Sequence, residues 1–189
     1  MIQTWVDLKR YKKTDSSRYI LRMPIWLGLL LGNEPCHALH YVKILRNFEY
    51  TYNNVHKGVL WKVWHAWNSL RWRRLSFKYK IYIGPNMCDE GLHIVHFGGG
   101  IIVNAERIGK NFGITTGCVV GNKDSNANRA IIGDNVSLTI GSKVIGKVTI
   151  GDNVIVAPNS VVIKDVPDNA VISGVPAIIL KIREVNEII

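Results

Sequence analysis

The chain has 189 residues, 47% of them hydrophobic, which is enough for one large domain or two small ones. Three irregularly spaced cysteines (Cys36, Cys88 and Cys118) exclude a disulfide framework and a zinc pattern and favour a reducing cytoplasm. The longest apolar run, residues 25–31, excludes a spanning helix, and the charged start of the chain lacks the apolar core of a signal peptide.

Charge divides the chain. Residues 1–80 carry 15 Lys and Arg against 4 Asp and Glu, so the whole net charge of +10 resides there. This basic region reads as helical. Asn33-Glu34-Pro35 predicts a helix start, with Asn as cap and Pro in the first turn, running to about Tyr50 before Asn53-Asn54. A second helix is predicted from Val59 to about Leu75, with Leu60, Val63, Trp64, Trp67 and Leu70 on one side. That apolar side is expected to pack on the rest of the fold, leaving a solvated basic tail. The alternative is a Trp- and Arg-marked segment at an anionic membrane surface. Nucleic acid is excluded as a partner for want of a reader motif.

Residues 81–180 read differently. Ile81-Tyr82-Ile83-Gly84-Pro85-Asn86 opens a β half, and residues 91–103 introduce His93, His96 and a triple glycine. An aliphatic residue then recurs every six positions: Ile108, Ile114, Val120, Ile132, Leu138, Val144, Ile150, Val156 and Val162. One slot breaks, at Asn126, within the polar excursion of residues 121–130. Two near-copies, Ile132-Gly133-Asp134-Asn135-Val136 and Ile150-Gly151-Asp152-Asn153-Val154, stand 18 residues apart, three sixes, so one corner of a triangular coil has returned. A period of six fits neither a helix nor a lone strand. It fits stacked coils of short strands and turns, in which small residues ease the bends and one aliphatic column fills the interior. Other apolar positions, including Val136, Val148 and Val154, are expected to need a partner surface. Residues 165–177 are expected to leave the coils as an extended segment, and 181–189 to form a short helical tail.

These residues resemble the hexapeptide acyltransferases, within them the serine acetyltransferase-like group. The resemblance covers residues 81–181. It rests on the hexapeptide column, on Leu92-His93-Ile94-Val95-His96-Phe97-Gly98-Gly99, on the polar loop after Val119-Val120-Gly121, and on Val166-Pro167-Asp168-Asn169-Ala170 with Gly174-Val175-Pro176-Ala177. It implies a mainly β fold, a left-handed parallel β-helix behind a short α-helical N-terminal region. It also implies a homotrimer with sites between neighbours, acetyl-CoA as donor and no metal. The basic N-terminal part is closer to the versions found with capsule and lipopolysaccharide gene products.

Acetyl transfer from a thioester to a hydroxyl needs a base active near neutrality, a task suited to imidazole, and a donor at the developing oxyanion. His96 matches the group's catalytic histidine by its place before the Phe-Gly-Gly turn. His93 and Asp89 are carried as candidates on the substrate side. Asp89 or Glu90 is read as an acidic turn in water or, alternatively, as a carboxylate behind His96. Matching positions for the donor are Gly121, Ile140, Gly141, Ala157 and Pro158, with Lys164 and Lys181 as candidates for its phosphates. No cysteine sits in a nucleophile constellation.

Two departures bear on the acceptor. Serine-specific members carry an aspartate where Val95 stands, and an Arg-His pair where a rough alignment gives Asn128-Arg129, the remaining candidates for acceptor binding. Their loss favours a neutral hydroxyl, on a sugar of surface polysaccharide, with L-serine as the alternative. A non-catalytic β-helix scaffold is the reading from another class.

Overall fold

The computed structural model describes residues 1–125 and 127–184. Four helices lead: α1 (Trp5–Ser17), α2 (Ile25–Leu30), α3 (Glu34–Asn54) and α4 (Val59–Tyr79). The predicted starts of α3 and α4 hold, and Asn33 accepts a hydrogen bond from Cys36 N at 3.3 Å. Helix α4 runs a turn further than expected, ending at Lys80, which takes the left-handed conformation (φ 57°) before the first strand. Helix α1 starts on a capping box, Thr4 bonding to Asp7 N while the Asp7 carboxylate accepts from Thr4 N.

From Ile81 onward the chain winds into a parallel β-solenoid with three faces. The first stacks Ile81–Ile83, Ile101–Val103, Val119–Gly121, Lys143–Ile145 and Val161–Val162. The second stacks Arg107–Ile108, Ile131–Ile132 and Thr149–Ile150. The third stacks His93–Val95, Gly113–Thr115, Ser137–Leu138, Ile155–Val156 and Ala170–Gly174, then closes with Ala177–Ile182 running antiparallel. Thus residues 170–174 stay in the solenoid rather than leaving it. Residues 181 and 182 are strand, not helix, and residues 185–189 of the expected tail lie outside the described residues.

All nine residues of the six-residue series are buried. Ile108 pairs with Ile132 across 24 residues, whereas Ile132 pairs with Ile150 across 18. The polar excursion therefore adds six residues, one hexapeptide's length, to that coil and leaves the phase intact. Val136, Val148 and Val154 are also buried inside the chain, so the expectation that they need a partner is corrected. They sit at the corners, where the turns fold their side chains inward.

The repeated Gly-Asp-Asn corner has a physical basis different from the expected easing of the bend. Asn111, Asn135, Asn153 and Asn169 take the left-handed conformation, and their amides form a ladder, each bonding to the next at 2.9–3.0 Å. The Asp134 and Asp152 N–H groups donate to Asp152 and Asp168 Oδ1 at 2.7 and 2.8 Å. Glycine precedes Asp134 and Asp152 because the next coil's carboxylate occupies the space. A Cβ on Gly133 would overlap Asp152 Oδ1 and lie 2.8 Å from the Gly151 carbonyl carbon.

The helices share one core with the solenoid, Tyr41, Val42, Leu45 and Phe48 of α3 joining Ile81, Ile83 and Ile94. Beneath them lies fully buried Arg46. It donates to Asp15 Oδ2 at 2.8 Å, Glu49 Oε2 at 2.9 Å, Cys88 O at 2.8 Å and Asp89 O at 2.7 Å. Asp15 also accepts from Gly91 N and Leu92 N at 2.8 and 2.9 Å. Burial disfavours the Arg46 charge, yet Glu49 and Asp15 hold the guanidinium well above its ordinary range. This network fixes the segment that leads into His93–Val95.

The apolar stripe of α4 faces outward, contrary to expectation. Its inward face carries Asn68, Ser76 and Tyr79, with Trp72 and Leu75 partly buried against the core. Val59, Leu60, Val63, Trp67, Leu70 and Phe77 are exposed. The period revealed an apolar side but not the side on which α3 lies.

Candidate active site

His93–Val95 ends at a tight turn, and His96 takes the left-handed conformation there (φ 52°), a backbone state uncommon outside glycine. Glu34, in the first turn of α3, holds this turn. Its Oε1 accepts from Phe97 N at 3.1 Å and its Oε2 lies 3.0 Å from His96 Nδ1. A carboxylate oxygen only accepts, so Nδ1 carries the proton and Nε2 presents its lone pair. The His96 side chain is 66% exposed and thus open to a substrate.

His96 opens on a cleft of about 230 Å³ lined by Arg18, Tyr19, Ile20, Glu34, Pro35, Ala38, His93, Ile94 and Val95. His93 is half-buried there, edge-on to the Tyr19 ring at 4.8 Å. Burial, and then the Arg18 charge, lowers its pKa below the usual imidazole value. Tyr19 accepts from Ile94 N at 2.9 Å, fixing α1's end to the histidine strand. One cleft therefore holds two imidazoles, a carboxylate and a guanidinium.

Asp89 lies elsewhere. It accepts from Tyr11 Oη at 2.5 Å and from Glu90 N at 2.9 Å, while Glu90 pairs with Arg10 at 3.0 Å and Lys110 at 3.4 Å. Burial raises the Asp89 pKa, but the Tyr11 hydroxyl and Glu90 N–H more than offset it, leaving it below the usual carboxylate range. The carboxylate beside His96 is Glu34, not Asp89 or Glu90. Its sequence signal was the Asn33-Glu34-Pro35 start, read only as a helix cap.

Asn128 and Arg129 do not line this cleft. Asn128 donates to Lys123 O at 3.1 Å within the excursion, and Arg129 Nη1 reaches Ala105 O at 3.4 Å. Among the donor-side candidates, Ile140, Gly141, Ala157 and Pro158 share one corner of the solenoid. There Gly141 N donates to Thr116 O and Asn159 N to Ile140 O. The strand register sets Val95 over Thr115, and Gly99 N, in the His96 turn, donates to Thr116 Oγ1 at 2.6 Å. A line of coils thus runs from His96 to Pro158, about 14 Å at the strand spacing. Gly121 and Lys164 lie at the far end of the first face, and Lys181 pairs with Val171 on the third. The cysteines are buried, and burial pushes the Cys88 thiol up to about 12.

A three-faced solenoid with inward aliphatic residues at every sixth position defines the class: a hexapeptide-repeat protein. Residues 129–164 match the bacterial transferase hexapeptide (six repeats) family. The serine acetyltransferase of Staphylococcus xylosus is 39% identical over 92 residues, 48% of this chain and 43% of that protein. The bifunctional protein GlmU of Listeria monocytogenes is 39% identical over 82 residues, 43% of this chain and 17% of that protein. The chain thus matches less than half the length of these curated relatives. A serine acetyltransferase structure from Brucella abortus superposes with a TM-score of 0.74 at 22% identity, covering 95% of this chain and 71% of that one. The Neisseria gonorrhoeae enzyme in complex with serine gives 0.70 at 23% identity, covering 92% and 69%. Within the hexapeptide class, this chain is serine acetyltransferase-like in repeat sequence and in fold.

Proposed function

We propose that the protein is an acetyl-CoA-dependent O-acetyltransferase in which His96 is the general base. The observation that carries this reading is the Glu34–His96 pair at the mouth of the cleft. Glu34 fixes the ring through Nδ1, and Nε2 removes the acceptor's hydroxyl proton as its oxygen attacks the thioester carbonyl. The tetrahedral adduct collapses with loss of the CoA thiolate, to which His96 returns the proton. A serine acetyltransferase structure from Brucella abortus is itself a complex with coenzyme A (TM-score 0.72, 21% identity, covering 95% and 70%). In this chain the corner from Thr116 to Pro158 would carry the donor's arm.

For the acceptor, the relatives favour L-serine over the expected sugar. The sugar expectation rested on the missing charges at Val95 and Arg129. The cleft supplies others: Glu34 for an ammonium group and Arg18 for a carboxylate, so a zwitterion is not left unpaired. We extend the proposal to a trimer. Tyr82, Ile102 and Ile163 expose apolar surface on the first face. A depression there is lined by Tyr82, Ile102, Gly99 and Gly100, next to the His96 turn.

The test is steady-state kinetics with acetyl-CoA and a panel of acceptors. Turnover of L-serine ahead of every sugar supports the full reading. Turnover of a sugar or sugar nucleotide alone would return the acceptor to polysaccharide, and no turnover together with no thermal shift by acetyl-CoA would leave a scaffold.

A further inference from the structure

We propose that the outward face of α4 docks onto an anionic lipid bilayer. The helix spans 21 residues, about 31 Å at 1.5 Å per residue, so its stripe runs the length of a small domain. Along it lie Val59 (74% exposed), Leu60 (85%), Val63 (65%), Trp67, Leu70 and Phe77 (80%). At 100° per residue these fall within about one third of the helix circumference. Lys62 and Arg73 flank that sector on one side, Arg71 and Lys78 on the other, and Arg74 lies within it. The helix carries no Asp or Glu.

An apolar stripe between two basic edges matches the layered chemistry of a bilayer surface, acyl chains beneath and phosphates above. Long Lys and Arg stems reach the headgroups while the stripe enters the acyl boundary. The same charges argue against a second copy of this helix, because facing stripes would bring the five cations of one onto the five of the other with no carboxylate on either. No helix among the described residues is long and apolar enough to cross a membrane, so the contact is peripheral. The far end of α4 connects to the cleft: Tyr79 Oη lies 2.7 Å from His37 Nδ1, and its ring stands 5.1 Å from Phe97, the neighbour of His96. A bilayer-bound chain would hold the cleft near the surface.

Co-sedimentation of the full chain with vesicles tests this without reference to acetyl transfer. Binding to phosphatidylcholine vesicles containing about one third phosphatidylglycerol should exceed binding to phosphatidylcholine alone at least roughly tenfold, and should fall with added salt. The double variant Val63→Ser/Phe77→Ser, changed only at exposed positions, should keep its melting temperature and lose roughly tenfold in binding. So should Arg73→Gln/Arg74→Gln. Equal binding to both vesicle types, or to neither, would overturn the proposal. So would a smaller sedimenting species for Val63→Ser/Phe77→Ser in the absence of lipid, which would assign the stripe to an interface between copies.

Discussion

Glu34 Oε2 lies 3.0 Å from His96 Nδ1, although the two residues stand 62 positions apart and belong to different halves of the fold. The helical region therefore does more than cover the solenoid: its third helix delivers a carboxylate to the one turn, among the described residues, where a histidine takes a positive φ.

This pairing yields the first prediction. His96→Ala should lower kcat/KM for the accepted hydroxyl by roughly 10²–10⁴-fold, the usual size of a lost general base. Glu34→Gln should lower kcat by about 10–10³-fold, because a carboxamide can hold the ring in either tautomer. Single-turnover rates alongside melting temperatures distinguish this from simple unfolding. A Glu34→Gln variant with unaltered kcat would remove Glu34 from its positioning role.

Arg46 sets a second expectation. Replacement by Met strands Asp15 and Glu49 without their cation in a fully buried site. Breaking such a pair typically costs about 3–5 kcal/mol. Urea denaturation should show an unfolding free energy lower by that amount, or a chain that no longer accumulates in soluble form.

At the corners, Gly133→Ala should destabilise by about 1–3 kcal/mol, since the added carbon meets a neighbouring coil's carboxylate and backbone. Gly98→Ala is the matched control, because a Cβ there meets nothing within 4 Å. Equal melting temperatures for the two variants would contradict the ladder account.

His93 gives a pH dependence. Its folded pKa is lowered by burial, so the unfolded chain binds the proton more readily. The corresponding stability is present above the ordinary value of 6.5 and is lost as pH falls from there through the folded pKa. His93→Gln should therefore lose less melting temperature than the parent between about pH 7.5 and 5.5. Parallel slopes would show that His93 does not contribute.

The proposed trimer should appear in sedimentation equilibrium as a species of three chains, and Ile102→Lys, at an exposed position on the first face, should shift it toward monomer. A parent that sediments as a monomer at micromolar concentration would sink that assembly.

The solenoid was legible in the sequence because a coil with one inward residue per face imposes its period on the chain, and all nine aliphatic positions are interior. Helix α3 was legible from its cap. Helix α1 was not, since its buried residues include Asp15 and its signal was only the Thr4–Asp7 capping box. Glu34 escaped because a site made by two distant segments leaves no local spacing to read. The same limit explains α4, whose apolar period says nothing about which side the neighbour occupies, and Asp89, whose proximity in sequence to His96 became distance in space.

The repeated corner is self-complementary, each Asn and Asp receiving an identical copy one coil on. A surface of that kind, left open, is a seed for polymerisation, since the last coil of one chain would accept the first coil of another. At this corner both ends are covered. Helices α1 and α3 cover the first coil through Asp15 and Arg46. At the other end the direction of the strand reverses, and Arg183 bonds to Asn169 O and Asn153 O where the ladder stops. The antiparallel closing strand thus acts as a chain terminator for the corner ladder.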